Sequence, residues 1–173
     1  MKAIINEINT AWSNQDIVSL NKFIDVLHKS MYCGDIVGIG AGRMGYSLRG
    51  FIMRLAHMGC SASFIGDTNL PRVNKNSTVI INSSSGETPT NIVYAQQAKA
   101  FNANLLVVTQ KPNSTIAKLS NACLVLPEIK SEQVMKTFSE QYSFLIFDFI
   151  SNELVKKSRQ NDSDLQLRHS IFE

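Results

Sequence analysis

Five short apolar runs, at residues 35–39, 60–65, 78–81, 104–109 and 122–126, alternate along this chain with stretches of helical periodicity. That alternation constrains the fold more than any other feature. Short runs rich in Val, Ile and Leu, each separated from the next by a helix or loop, are strands buried on both faces of a parallel sheet. Right-handed crossovers between them make the default an α/β protein with a three-layer, doubly wound, five-stranded parallel sheet. The helical stretches fall at 1–30 (one or two amphipathic helices), 46–58, 91–101, a short helix ending near 121, and a long helix over 131–157. Residues 159–173 form a tail. No linker, repeat or low-complexity tract interrupts the sequence, so residues 1–173 are read as a single domain.

Sheets of this kind bind ligands beyond the carboxyl ends of their strands, and two loops stand at such ends. The third strand runs into Asn82-Ser83-Ser84-Ser85-Gly86-Glu87-Thr88, directly before a helix. Unpaired N–H groups and the positive dipole end of that helix favour an anion there. Serine and threonine hydroxyls add donors without burying a fixed charge. A single serine would read as an ordinary N-cap, but Ser83, Ser84 and Ser85 with Thr88 point to a phosphate or phosphosugar site. The first strand runs into Gly40-Ala41-Gly42-Arg43-Met44-Gly45, with Asp67 after the second strand. That spacing also suits a dinucleotide-binding oxidoreductase. Against this rival stand the helical lead of some thirty residues, the lack of room for a substrate domain, and a serine loop left without a role. The planar fork of Arg43 suits an oxyanion.

The net charge of +3 is mild and the basic residues are scattered, which argues against a nucleic-acid partner. Three cysteines, far apart and beside apolar runs, read as buried core residues, with no metal-ligand spacing and no disulfide framework. No signal segment or long apolar run is present, so a cytoplasmic protein without membrane contact is expected.

Gly40-Ala41-Gly42-Arg43, the segment 53–59, Ser83 to Thr88, the segment 113–119, Glu140-Gln141 and the ending Arg168-His169-Ser170-Ile171-Phe172-Glu173 together resemble the sugar isomerase (SIS) domain family. The likeness spans nearly the whole chain and is strongest to the 6-phospho-3-hexuloisomerase branch. It implies a flavodoxin-like sheet, a complete C-terminus, a homotetramer built as a dimer of dimers, and a place in the ribulose monophosphate pathway. The implied reaction interconverts arabino-3-hexulose 6-phosphate and fructose 6-phosphate through a cis-enediol, with no cofactor or metal. Glu140 is the implied base, flanked by Phe138, Tyr142 and Phe144, apolar neighbours of the kind that tune a carboxylate for proton transfer. His169, on a tail held by Leu165, Leu167, Ile171 and Phe172, is the implied proton shuttle, reaching a neighbouring subunit's site. Gly42, Arg43, Ser83, Ser84, Ser85, Glu87 and Thr88 are the implied substrate and phosphate contacts. Met44, Ser84, Lys136 and Ser139 depart from the usual pattern, where Ser, Gly, Gly and an aromatic stand. A different phosphosugar, or a non-catalytic phosphosugar sensor, is the alternative. The late helix, apolar around most of its circumference over 144–150, is expected to be buried on several sides.

Overall fold

The computed structural model describes residues 1–171, and of Lys136 the backbone alone. The expected tail contact of Phe172 and the side-chain departure at Lys136 therefore lie outside the described residues. Five strands pair in parallel in the order β2-β1-β3-β4-β5: β1 (Ile36–Gly40), β2 (Ala62–Phe64), β3 (Thr78–Asn82), β4 (Asn104–Thr109) and β5 (Ala122–Val125). Consecutive residues point to opposite faces. Ile36, Ile80, Leu106, Val108 and Leu124 pack beneath α1 (Lys2–Ser13), α2 (Ile17–Ser30), α3 (Gly42–His57) and α6 (Thr137–Lys157). Val37, Ile39, Val79, Ile81, Leu105 and Val107 pack beneath α4 (Pro89–Ala100) and α5 (Thr115–Leu119). This is the three-layer doubly wound sheet that the alternation predicts. The chain leaves β1 toward one edge and β3 toward the other, so the loops after these two neighbouring strands diverge and open a crevice between them.

The starts of three helices differ from the sequence reading, each for a local reason. α3 begins at Gly42, not 46, because Gly42 turns the chain at φ 55° and the helix starts inside the glycine loop, with Gly45 N donating to Ala41 O at 3.2 Å. A Cβ on Gly45 would collide with Gly40 O, so glycine is what lets the helix begin so close to the strand end. α4 begins two residues early, at Pro89, whose missing N–H costs nothing at the first helical position. The late helix begins at Thr137, not 131. Met135 adopts φ 51° in a 3-10 turn (Val134–Lys136), and that left-handed residue breaks the helical run.

The cysteine expectation also needs correction. Cys60 is buried and Cys123 partly so, and burial pushes both thiols up to about 11. Cys33, however, is exposed, with Sγ 3.2 Å from Lys29 O.

α6 buries Phe138, Tyr142, Ile146, Phe147, Ile150 and Leu154, while Phe144 and Leu145 remain 47% and 48% exposed. Its apolar circumference is thus covered on one side by this chain and uncovered on the other. Phe147 stacks on Phe51 with ring centroids 4.7 Å apart and is 1% exposed. Phe147→Ala should cost about 3–5 kcal/mol, read as a lower midpoint in urea unfolding with an unchanged slope. Buried Gln15 joins the helical lead to β5 and to α6. Its Nε2 donates to Val125 O at 2.9 Å, and Tyr142 Oη donates to its Oε1 at 3.0 Å. Among the described residues no helix is long and apolar enough to cross a membrane.

Candidate active site

The serine loop is shaped by bonds to the end of β4. Thr109 Oγ1 donates to Ser84 O at 3.0 Å, and Gln110 N donates to the same oxygen at 3.1 Å. Gly86 carries φ 65°, and a Cβ there would run into Ser114 Oγ, so the turn into α4 requires glycine. Ser83 Oγ and Thr88 Oγ1 lie 3.3 Å apart, and Ser85 Oγ accepts from Glu87 N at 3.2 Å. Thr88 is the N-cap of α4.

A cleft of about 260 Å³ opens at the carboxyl end of β3, lined by Ala41, Met44, Asn82, Ser83, Ser84, Ser85, Thr88, Asn91, Met135, Ser139 and Glu140. All four hydroxyl residues of the predicted grip, and Glu140, therefore share one space. A second compartment of about 250 Å³ continues past Ser84, Ser85 and Ser139 to Gln110, Lys111 and Gln133. The predicted contacts Gly42, Arg43 and Glu87 are not among the residues that line the cleft. Gly42 and Arg43 open α3 at its rim. Arg43 Nε donates to Glu140 Oε2, joining α3 to α6 across 97 residues of sequence. Glu87 Oε1 accepts from Thr115 N at 2.8 Å, and this bond holds its carboxyl below the ordinary 4.5. Glu87 thus pins the serine loop to α5.

The apolar surroundings expected for Glu140 are replaced by an ionic one. Phe138 and Tyr142 turn into the core, Phe144 is half exposed, and the carboxylate meets Arg43 instead. Asp67, the acid that a dinucleotide reading needs for a ribose, is engaged inside the fold. Phe64 N donates to its Oδ2 at 2.8 Å and Arg49 pairs with Oδ1 at 3.2 Å, which holds its carboxyl below the usual 3.8.

Residues 52–150 match the model of the SIS domain. The chain belongs to the SIS domain family. The 3-hexulose-6-phosphate isomerase of Bacillus subtilis is 29% identical, covering 98% of this chain and 95% of its own length. That of Methanocaldococcus jannaschii is also 29% identical, covering 93% and 86%. The crystal structure of a hypothetical protein from Methanococcus jannaschii, described as inferring a molecular function of 3-hexulose-6-phosphate isomerase, superposes with a TM-score of 0.85. It is 27% identical and covers 98% of this chain and 96% of that one. Membership in the SIS family displaces the dinucleotide reading of the glycine loop.

Two departures from the usual SIS pattern acquire a structural account. Ser84, where a glycine is usual, donates from Oγ to Gln110 Oε1 at 2.6 Å, and Gln110 Nε2 donates to Pro127 O at 2.9 Å. The extra hydroxyl thus ties together the loops after β3, β4 and β5. Met44 is 8% exposed and fills the cleft wall with an apolar side chain where a hydroxyl would stand. Sequence reasoning missed Asn82, Asn91 and Met135. Asn82 closes the apolar strand β3 and reads in sequence as the first loop residue, whereas the structure buries it completely.

His169 lies elsewhere. Its ring packs on His57 with centroids 4.9 Å apart, and Arg168 Nη1 donates to His57 O at 3.2 Å. His57 ends α3, a 16-residue helix about 24 Å long that begins at the cleft rim. The tail is therefore docked at the far end of α3 from the cleft of its own chain.

The loop that carries Met135 over the cleft is held by Glu7 of α1. Glu7 accepts from Gln133 Nε2 at 2.7 Å, Glu132 N at 3.0 Å and Ser131 Oγ at 2.9 Å, and these bonds, Gln133's foremost, lower its pKa from 4.5. A carboxyl lowered in the folded state stabilises above its unfolded pKa and loses that stabilisation as pH falls through the folded one. The melting temperature of Glu7→Gln should lie below wild type at pH 7, and the two should converge below pH 4.5 in calorimetry. A gap unchanged down to pH 3 would deny the clamp.

Proposed function

We propose that this SIS domain is a phosphosugar isomerase that interconverts arabino-3-hexulose 6-phosphate and fructose 6-phosphate in the cytoplasm. The observation that carries the reading is the meeting of Ser83, Ser85 and Thr88 with Glu140 in one cleft at a helix N-terminus. The hydroxyls and the first turn of α4 grip the phosphate, fixing the sugar chain relative to the carboxylate. Arg43 binds Oε2 of Glu140, and the other oxygen, Oε1, takes the proton from C2 of the 3-ketose. The resulting enediolate spans C2 and C3. Glu140 returns its proton to C3 while the hydroxyl hydrogen at O2 passes to O3, leaving a carbonyl at C2. His169 performs this oxygen-to-oxygen transfer, and because it docks far from its own cleft, it does so in a neighbouring subunit's site. The half-exposed Phe144 and Leu145 on α6 support a homo-oligomer, which we read as a dimer of dimers.

Incubation of the protein with enzymatically prepared arabino-3-hexulose 6-phosphate should yield fructose 6-phosphate without added metal or cofactor. Light scattering should report a mass of four chains. Absence of turnover with phosphosugar binding intact would make the protein a sensor. A monomer at micromolar concentration would remove the shared site.

A further inference from the structure

The floor of the cleft carries polar atoms that the protein does not satisfy. Asn82 closes β3 and is 0% exposed. Its amide nitrogen is fully used: Nδ2 donates to Met44 O at 2.9 Å and to Ser47 Oγ at 3.0 Å, with Ser143 Oγ at 3.3 Å. Met44 O is a backbone carbonyl and can only accept, so the amide cannot be turned over. The atom left over is the carbonyl oxygen Oδ1, which has no hydrogen-bond partner among the described residues. Asn91, 2% exposed in the first turn of α4, has the complementary deficit, since its Nδ2 lacks an acceptor. Both side chains line the cleft that holds the serines and Glu140.

Buried polar groups are almost always paired, and an exception inside a cleft marks a place where water or a ligand group completes the pairing. The chemistry of the two atoms says which groups of the ligand meet them. An ionised phosphate oxygen only accepts, as Oδ1 does, so phosphate cannot satisfy Asn82. An O–H can. Asn91 Nδ2 needs a lone pair, which a phosphate or hydroxyl oxygen supplies.

We propose that Asn82 is the specificity residue of this site, its Oδ1 accepting the hydrogen of one sugar hydroxyl while Asn91 Nδ2 donates to an oxygen of the same ligand. The inference rests on the phosphosugar reading and deepens it: the cleft reads the polyol chain as well as the phosphate. The amide that accepts the hydroxyl is also tied to the helix of the proposed base, because Ser143 Oγ, which Asn82 Nδ2 approaches, donates to Glu140 O at 3.1 Å. A hydroxyl seated on Asn82 is thereby held in register with Glu140.

The test is calorimetric titration of the full chain with fructose 6-phosphate, its 1-, 3-, 4- and 5-deoxy analogues, and inorganic phosphate. Wild type should bind one deoxy analogue about ten- to a hundredfold more weakly than the parent sugar, since its loss leaves a buried acceptor unmet. Asn82→Ala should erase that gap for that analogue alone and leave phosphate affinity unchanged. Asn91→Ala should weaken the parent sugar about tenfold. If Asn82→Ala does not fold, Asn82→Ser, which keeps a donor toward Met44 O, takes its place. A wild type indifferent to every deoxy analogue, or identical gaps in wild type and variant, overturns the proposal. A wild type that binds inorganic phosphate but no hexose phosphate overturns the phosphosugar reading, and this inference falls with it.

Discussion

Glu140→Gln should lower the turnover of arabino-3-hexulose 6-phosphate by about 10²–10⁴-fold, the usual contribution of a positioned general base. Glutamine keeps the shape of the side chain and an oxygen that can accept from Arg43 Nε, so α3 and α6 stay joined. What it lacks is the capacity to take a proton from carbon. The proposed phosphate grip, Ser83, Ser85 and Thr88, does not include this carboxylate. Affinity for fructose 6-phosphate should therefore stay within a few-fold of wild type, which separates loss of chemistry from loss of binding. Turnover within tenfold of wild type would transfer the role of base to another group.

The second large effect concerns the two ends of α3. His169→Ala, or removal of residues 166–173, should also cost about 10²–10⁴ in turnover and leave phosphosugar binding measurable. The informative experiment mixes the two inactive proteins. Glu140 lines the cleft, whereas His169 packs against His57 at the far end of a 16-residue helix. If each site takes its glutamate from one subunit and its histidine from another, random reassembly of equal parts Glu140→Gln and His169→Ala restores both residues in about a quarter of the sites. A site completed within one chain gains nothing from mixing. Recovery near a quarter of wild-type activity establishes the shared site, and none after verified subunit exchange removes it.

The sheet was legible because strands buried on both faces leave continuous apolar runs, such as Thr78 to Ile81, that few other structures produce. The helix starts were less legible. Left-handed backbone at Gly42 and Met135 sets them, and at Met135 no residue preference announces it. Ser83, Ser85 and Thr88 stood out because hydroxyls cluster next to a strand. Asn82 did not, since one polar residue at a strand end reads as the beginning of the loop. The partnership of Arg43 with Glu140 and the docking of Arg168 on His57 join positions 97 and 111 residues apart, and no local pattern encodes them. The exposed thiol of Cys33 shows the same limit: proximity to an apolar run does not determine which side of it a residue occupies.

The buried amide of Gln15 has a consequence for how the chain is made. Its partners Val125 and Tyr142 lie 110 and 127 residues downstream, so α1 and α2 emerge from the ribosome long before the surfaces that receive them exist. At about 5–20 residues per second, the wait is roughly 6–25 s. During it the apolar residues Leu20, Phe23, Ile24 and Leu27 lack the part of their core cluster that β5 and α6 supply, Leu124, Tyr142 and Ile146 among it. A segment made early is thus among the last to find its place, because its partners come from the late strand β5 and helix α6.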